Sequence, residues 1–128
     1  MGHPFSLQGK VVSGDRRGLE LGFPTANLEV DPKQALPADG VYATWACFDD
    51  NTHQSVTNIG RRPTFDGHER TVETYIINYG GDLYGRQLRI DIVERLRSEH
   101  RFNTVEELKK QMAEDVKQGA VILQSQNK

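Results

Sequence analysis

The first two-thirds of the chain carries short apolar runs with the two-residue period of β-strands. Residues 41–48 are apolar on both alternating faces, which predicts a strand covered on both sides. Residues 87–94 alternate between apolar and charged side chains, which predicts a half-buried strand. Further strands are predicted over residues 6–12, 53–59 and 71–78. Turn residues precede the second of these, which we therefore expect to pair with 41–48.

The period changes near residue 105, where the apolar residues fall on one helical stripe. Its members are Val105, Leu108, Met112, Val116 and Ala120. Asn103 or Thr104 is the expected N-cap, since Thr104 and Glu107 have capping-box spacing. Residues 121–128 are expected to fray. Several short strands followed by one helix predict a mainly β fold, a small antiparallel barrel with a C-terminal α-helix.

Composition narrows the classes of protein to consider. A length of 128 residues suits a single domain, 1–128, with a core over about 6–120. Sixteen basic and eighteen acidic residues provide no basic field, so no nucleic-acid partner is expected. No apolar stretch reaches the roughly 20 residues that span a bilayer, so no membrane partner is expected. The single cysteine, Cys47, favours a cytoplasmic location, and its apolar neighbours favour an inert buried thiol over a catalytic one.

Two segments, 13–37 and 60–70, lack periodicity, and we expect irregular loops there. The first carries glycines and arginines, among them Gly14, Arg17, Gly18 and Gly22. Glycine lets the backbone approach a ligand closely, and free amides in such turns cradle phosphate. On composition alone, a solvated surface loop fits this segment equally well.

The end of the first segment presents two oxygen ligands on a rigid backbone. Pro24 fixes its own φ and holds Thr25 and Asn27 on neighbouring positions. A hydroxyl and an amide carbonyl are hard ligands suited to Mg²⁺, which is often shared with substrate phosphates. These two residues are therefore candidate metal ligands.

The segment Leu21-Gly22-Phe23-Pro24-Thr25-Ala26-Asn27 resembles the signature loop of riboflavin kinases, including the C-terminal module of bacterial bifunctional FAD synthetases. Other motifs of that family recur in the same order, namely Gly40-Val41-Tyr42-Ala43, Asn58-Ile59-Gly60-Arg61-Arg62-Pro63-Thr64-Phe65, Val72-Glu73, Asp82-Leu83-Tyr84-Gly85, Leu96-Arg97, Phe102, Glu107-Leu108 and Asp115. The resemblance covers about residues 6–120. Several motifs in order are far more specific than any one of them.

The resemblance implies a six-stranded antiparallel Greek-key barrel that uses ATP and Mg²⁺ to phosphorylate the 5′-hydroxyl of riboflavin, giving FMN and ADP. It also implies that the chain is a fragment of a longer bifunctional protein with an FMN adenylyltransferase domain. By position, Thr25 and Asn27 are the implied metal contacts. The expected nucleotide-binding residues are Gly14, Arg17, Gly18, Gly22, Phe23, Pro24, Thr25, Asn27 and Asn58. A structured turn explains Asn58 equally well.

Glu73 is the candidate catalytic base and a candidate flavin-binding residue. A carboxylate on a strand face that turns toward a partly apolar interior would be desolvated, which strengthens it as a base. Alternation alone favours the opposite arrangement, in which Val72 and Thr74 face the core and Glu73 faces solvent. The resemblance reverses that preference, because Glu73 occupies the place of the family's catalytic glutamate. Asp82 and Asp91 are weaker candidates.

The segment 94–102 corresponds to a mobile flap over the flavin in the family. There Arg97 would stack on the flavin ring or pair with phosphate, and Phe102 would form a wall of the flavin site. A solvated Arg97 and a Phe102 packed under the helix are the alternatives, and packing is favoured for Phe102. Ser98 stands where the family commonly has proline, which predicts a looser flap.

Two other functions stay open from the sequence. A non-catalytic flavin-binding barrel would need neither the Thr25/Asn27 pair nor Glu73. An RNA-binding barrel would need exposed aromatic side chains interleaved with basic ones. Tyr75 and Tyr79 with Arg70 match that pattern poorly.

Overall fold

The computed structural model describes residues 5–15, 25–31, 34–77, 79, 83–98 and 103–126. Its elements are β1 (Phe5–Asp15), β2 (Thr25–Val30), β3 (Gly40–Phe48), β4 (Asn51–Thr64), β5 (Gly67–Ile76), β6 (Gln87–Arg97) and α1 (Val105–Gln126). The six strands pair antiparallel and close into a barrel in the order β1-β2-β5-β4-β3-β6. The expected fold, an antiparallel six-stranded barrel with a C-terminal helix, is confirmed.

The barrel has one apolar core inside and a second one outside, under the helix. The interior core is built mainly from Leu7, Val11, Leu28, Tyr42, Ile59, Val72, Leu88 and Ile90. The outer core joins Ala43 and Trp45 of β3 to Leu123 of α1. Because β3 contributes side chains to both cores, the predicted strand covered on both sides is confirmed.

The two segments expected to be irregular are largely β-structure, so that prediction was wrong. Residues 25–30 form β2, whose inward side chains are only Ala26, Leu28 and Val30. Residues 60–70 continue β4 and β5 around a tight turn at Phe65 and Asp66, followed by Gly67 at φ +142°. Apolar and polar residues do alternate along β2, but this short run was hidden among the glycines, prolines and charges around it. On the β4–β5 hairpin, arginines interrupt the alternation.

An ion network lies on the inward face near the end of the β4–β5 hairpin. Arg61 and Arg70 lie opposite each other on β4 and β5, and both donate to Asp39, at 3.0 Å and 2.6 Å. Burial alone would raise the pKa of Asp39, but the hydrogen bonds from Arg70 and Arg61 hold that pKa below its usual value. Arginines can occupy these inward-facing positions of β4 and β5 because the Asp39 carboxylate neutralises their charge.

The helix begins where the sequence predicts, but its buried face is different. Glu107 N–H donates to Thr104 Oγ1 at 3.1 Å, which confirms Thr104 as the N-cap, and Asn103 N–H donates to Glu107 Oε1. The most buried helix positions are Asp115, Gly119 and Leu123, whereas Val105 is exposed. The predicted stripe therefore flanks the true contact face. The prediction of fraying from residue 121 was also wrong, because Leu123 packs on the barrel.

A chain of hydroxyl groups crosses the barrel interior between β3, β4 and β5. Thr44 Oγ1 lies 2.7 Å from Ser55 Oγ and 2.8 Å from Thr57 Oγ1, which in turn lies 2.9 Å from Thr74 Oγ1. All four side chains are buried. Each hydroxyl satisfies a neighbour that would otherwise be an unpaired polar group in the interior.

Replacing Thr57 with valine is expected to destabilise the barrel despite the nearly equal side-chain size. The change removes the middle hydroxyl of the chain and leaves the buried Thr44 and Thr74 groups each short of one hydrogen bond, at a cost of about 2 kcal/mol. Urea unfolding measures the difference. Thr52→Val on the exposed start of β4 is the matched control, expected to change stability by less than about 0.5 kcal/mol. Equal stabilities of the two variants would contradict the role given to the hydroxyl chain.

Candidate functional site

Three polar residues predicted from separate parts of the sequence lie side by side on the outer face of the barrel. Asn27 of β2 is directly opposite Glu73 of β5, and Glu73 is directly opposite Asn58 of β4. Directly opposed residues of antiparallel strands have Cβ atoms about 4.5–5.5 Å apart. The barrel thus brings the three residues into one row, Asn27–Glu73–Asn58. The sequence analysis identified these residues but not their order in space.

Thr25 adds a fourth polar group at the β2 end of this row. It precedes Asn27 by two residues, so both side chains lie on the same face of β2. The hydroxyl of Thr25 donates to Glu73 Oε1 at 3.3 Å. The two candidate metal ligands and the candidate base therefore form one cluster.

Glu73 lies on the outer side of its strand, half-buried, rather than toward the interior. Val72, Thr74 and Ile76 are the buried neighbours, with exposed fractions of 2%, 1% and 5%. The expectation that Glu73 turns toward an apolar interior was therefore wrong, and the orientation favoured by simple alternation is correct. What sets Glu73 apart from a solvated surface glutamate is the cluster formed with Thr25, Asn27 and Asn58.

Asn58 lies within β4, since the strand continues to Thr64, and not in a structured turn. Its Oδ1 atom is buried and has no hydrogen-bond partner among the residues described. Buried side-chain oxygens are rarely left without a donor, and each exception calls for a ligand or another explanation. This oxygen is the one atom of the cluster that is both buried and unsatisfied in the described structure.

The helix α1 packs on the outer face of the barrel next to the polar cluster. A methyl group at Gly119 would lie 3.0 Å from Val56 Cγ2, so α1 crosses β4 closely at the position two residues before Asn58. Tyr75, opposite Val56, is half-buried on the same face as Glu73. The polar cluster is therefore bordered by the helix on its β4 side.

Arg97 ends the same outer row, beyond Val41, and is held by the helix. Val41 is opposite both Asn58 and Arg97. The guanidinium donates to both oxygens of Asp115, with distances of 2.9 Å and 2.8 Å, and to the carbonyl of Ser98. Arg97 is therefore not simply a solvated charge, while its contact with a flavin stays a prediction. Asp115, which the helical stripe did not single out, is 4% exposed and is the residue that fixes Arg97.

The rival carboxylate Asp91 belongs to a different part of the barrel. It lies on β6, which has no pairing with β2, and accepts hydrogen bonds from Ser6 at 2.7 Å and Arg89 at 3.1 Å. The Cys47 thiol, half-buried and not buried as expected, lies 3.7 Å from Asp91. The hydrogen bond and charge of Asp91 raise the pKa of Arg89. Asp91 is therefore an ion-pair partner outside the Glu73 cluster.

Several predicted site residues lie outside the described structure. They are Arg17, Gly18, Gly22, Phe23, Pro24 and Phe102, together with the rival Asp82. Gly14 is described and is paired with Ala26, next to Thr25. The described ends of β1 and β2, at Asp15 and Thr25, are paired and lie directly beside the polar cluster.

The cluster offers oxygen ligands of the kind that Mg²⁺ prefers. Thr25 and Asn27 present a hydroxyl and an amide beside the Glu73 carboxylate. Among the described residues, no group of three or more His, Cys, Asp or Glu side chains is placed to hold a metal ion. The donor set fits an ion that takes few ligands from the protein and the rest from phosphate and water.

A family model described as riboflavin kinase, or flavokinase, matches residues 1–123. The chain is 40% identical over 116 residues to a bifunctional riboflavin kinase/FMN adenylyltransferase of Escherichia coli strain K12, covering 90% of the chain. It is similar to the crystal structure of riboflavin kinase from Trypanosoma brucei, with a TM-score of 0.70 and 27% identity over 96% of this chain and 82% of that one. A Streptococcus pneumoniae structure described as a macrolide-efflux protein gives a TM-score of 0.83 and 33% identity, over 89% of this chain and 38% of that one.

The chain spans 37% of the length of its Escherichia coli relative. In the described part of the chain, no helix is both long and apolar enough to cross a membrane.

Proposed function

Because the chain belongs to the riboflavin kinase family, we propose that it transfers the terminal phosphoryl group of ATP to the 5′-hydroxyl of riboflavin, giving FMN and ADP. The observation that carries this proposal is the cluster in which Thr25, Asn27 and Glu73 meet on one face of the barrel. Phosphoryl transfer to an alcohol needs a base for the hydroxyl proton and neutralisation of phosphate charge. The cluster supplies groups for both tasks within a few ångströms.

Glu73 is the base in this mechanism. Its carboxylate accepts the proton of the 5′-hydroxyl while the hydroxyl oxygen forms the new bond to the γ-phosphorus. The bond from that phosphorus to the bridging oxygen breaks, and its electron pair leaves with ADP. The hydrogen bond from Thr25 holds one carboxylate oxygen in place, so the carboxylate is oriented before the substrate arrives.

Thr25 and Asn27 are the proposed contacts to Mg²⁺, which would neutralise the charge of the nucleotide phosphates. A hydroxyl has one proton and two lone pairs, so Thr25 can donate to Glu73 and still offer a lone pair to a cation. Asn27, opposite Glu73 in the ladder, would contribute its amide oxygen. The metal site would thus lie on the β2 side of the base.

The remaining contacts are assigned by position. Gly14, Arg17, Gly18, Gly22, Phe23 and Pro24 are proposed to line the nucleotide phosphates, and Arg97 and Phe102 the flavin. We further propose that residues 1–128 form a single kinase domain, linked in a longer protein to an adenylyltransferase domain as in the relative named above. A cytoplasmic location stays a prediction, based on the single cysteine.

The test is turnover of the purified protein with riboflavin and ATP·Mg²⁺, followed by chromatographic detection of FMN. Formation of FMN and ADP in equal amounts is expected. Flavin binding without product would instead favour a non-catalytic flavin-binding barrel.

Thr25→Ala is expected to weaken Mg²⁺-dependent nucleotide binding by about tenfold, because it removes a ligand and a hydrogen bond to a charged group. The measurement is the ATP dissociation constant at a series of Mg²⁺ concentrations. Thr25→Ser keeps the hydroxyl and should bind like the wild type. An unchanged magnesium dependence in Thr25→Ala would count against the metal contact.

A further inference from the structure

The row of polar residues on the outer face of the barrel has different side chains on the two sides of Glu73. Thr25 and Asn27 flank Glu73 on the β2 side, and Asn58 flanks it on the β4 side. Adjacent strands are about 4.8 Å apart, so the two flanks are roughly 10 Å apart with the carboxylate between them. The reacting hydroxyl must contact both the base and the γ-phosphorus, so the reacting ends of the two substrates meet at the carboxylate while the rest of each substrate extends over a different flank.

The chemistry of Asn58 differs from that of the other flank. Its buried Oδ1 can only accept a hydrogen bond, and it has no donor among the described residues. Ionised phosphate oxygens also only accept, so they cannot satisfy this atom. A substrate hydroxyl can, and the acceptor of the reaction is a polyhydroxylated chain that ends in the reacting hydroxyl.

We propose that Asn58 determines specificity for the acceptor substrate, by accepting a hydrogen bond from a hydroxyl of the ribityl chain next to the reacting 5′-hydroxyl. This inference rests on the proposed function. It places riboflavin on the β4 side of Glu73, between the base and α1, and the nucleotide on the β2 side. Asn58 then belongs to the flavin site and not to the nucleotide site expected from the sequence.

The position of the helix supports this placement. Gly119 of α1 lies against Val56, and Val56 is two residues before Asn58 on the same outer face. Tyr75 borders the cluster from β5, opposite Val56. A substrate on this side would lie between a polar row and the side of a helix, with an aromatic ring nearby, which suits a ligand that is part polyol and part flat ring.

The test compares Asn58→Ala with the wild type in steady-state kinetics for both substrates. The KM for riboflavin is expected to rise about tenfold, whereas the KM for ATP·Mg²⁺ should change by less than about twofold. Asn51→Ala is the matched control, an exposed asparagine at the start of the same strand that should leave both constants unchanged. A rise in the KM for ATP, or no change in either constant, would overturn the assignment.

A second measurement separates a direct contact from a structural effect. Riboflavin analogues that lack one ribityl hydroxyl each are assayed with both proteins. One of them should lose about tenfold in kcat/KM with the wild type and lose nothing further with Asn58→Ala, because the same hydrogen bond is already missing. Losses that add for every analogue would overturn the proposal.

Failure of the proposed function has a different outcome. A wild-type protein that binds riboflavin and makes no FMN would refute the kinase assignment alone. The same variant and analogues would then be compared by the Kd for riboflavin from flavin fluorescence, with the same pattern of coupling required.

Discussion

Glu73→Gln is expected to lower kcat by about 10²- to 10⁴-fold, the contribution typical of a positioned general base. Glutamine has the same shape, and its Oε1 can still accept the hydrogen bond from Thr25. The cluster should therefore persist while the ability to take up a proton is lost. The measurement is initial-rate formation of FMN, with the ATP·Mg²⁺ dissociation constant expected to stay within a few-fold of the wild-type value.

The matched control is Glu69→Gln, an exposed glutamate four residues earlier on the same strand and the same face. It should retain wild-type turnover. Should Glu73→Gln retain more than about a tenth of the wild-type kcat, the carboxylate is not the base. A fall in kcat together with complete loss of nucleotide binding would instead indicate that Glu73 organises the site without accepting the proton.

Asp115→Ala is expected to lower the free energy of unfolding by about 3–5 kcal/mol, the range found when one partner of a buried ion pair is removed. The Asp115 side chain is 6% exposed and that of Arg97 is 23% exposed, so the charge of Arg97 would lose its bidentate partner with little water to replace it. Gln111 donates to the same carboxylate at 3.0 Å, so a second polar group loses its acceptor.

Urea unfolding followed by circular dichroism measures this loss. Glu114→Ala is the control, because Glu114 is exposed and accepts a hydrogen bond from the side chain of Gln118, one turn further along the helix. It should cost less than about 0.5 kcal/mol. Similar small effects for both variants would mean that the apolar contacts of Leu123, and not the ion pair, hold the helix on the barrel.

Prediction from the sequence succeeded where the informative pattern was local to one strand or to one end of the helix. Residues 41–48 alternate between two apolar faces, and the structure covers that strand on both sides. Thr104 and Glu107 have the spacing of a capped helix start, and the hydrogen bond is present. Both features depend on neighbours a few residues away, so they can be read from the chain directly.

The same approach failed where the pattern depended on a distant partner. The strand β2 was expected to be loop because its six residues lie within a stretch rich in glycine, proline and charge, yet backbone pairing with β1 and β5 makes it a strand. The end of β4 was expected to be irregular because arginines occupy inward positions, yet Asp39, more than twenty residues earlier, neutralises them. The helix stripe was misplaced because Asp115 is buried by its ion pair with Arg97.

Motif order and local periodicity are properties of the chain, so the fold class, the family and the candidate polar residues could be predicted from the amino-acid sequence. Only the folded barrel shows which of those residues are neighbours. Strand register sets Asn27, Glu73 and Asn58 in one row and excludes Asp91 from it. Register is fixed by long-range pairing around the closed barrel, so the order of the row, and the two different flanks of Glu73 that follow from it, have no counterpart in local sequence.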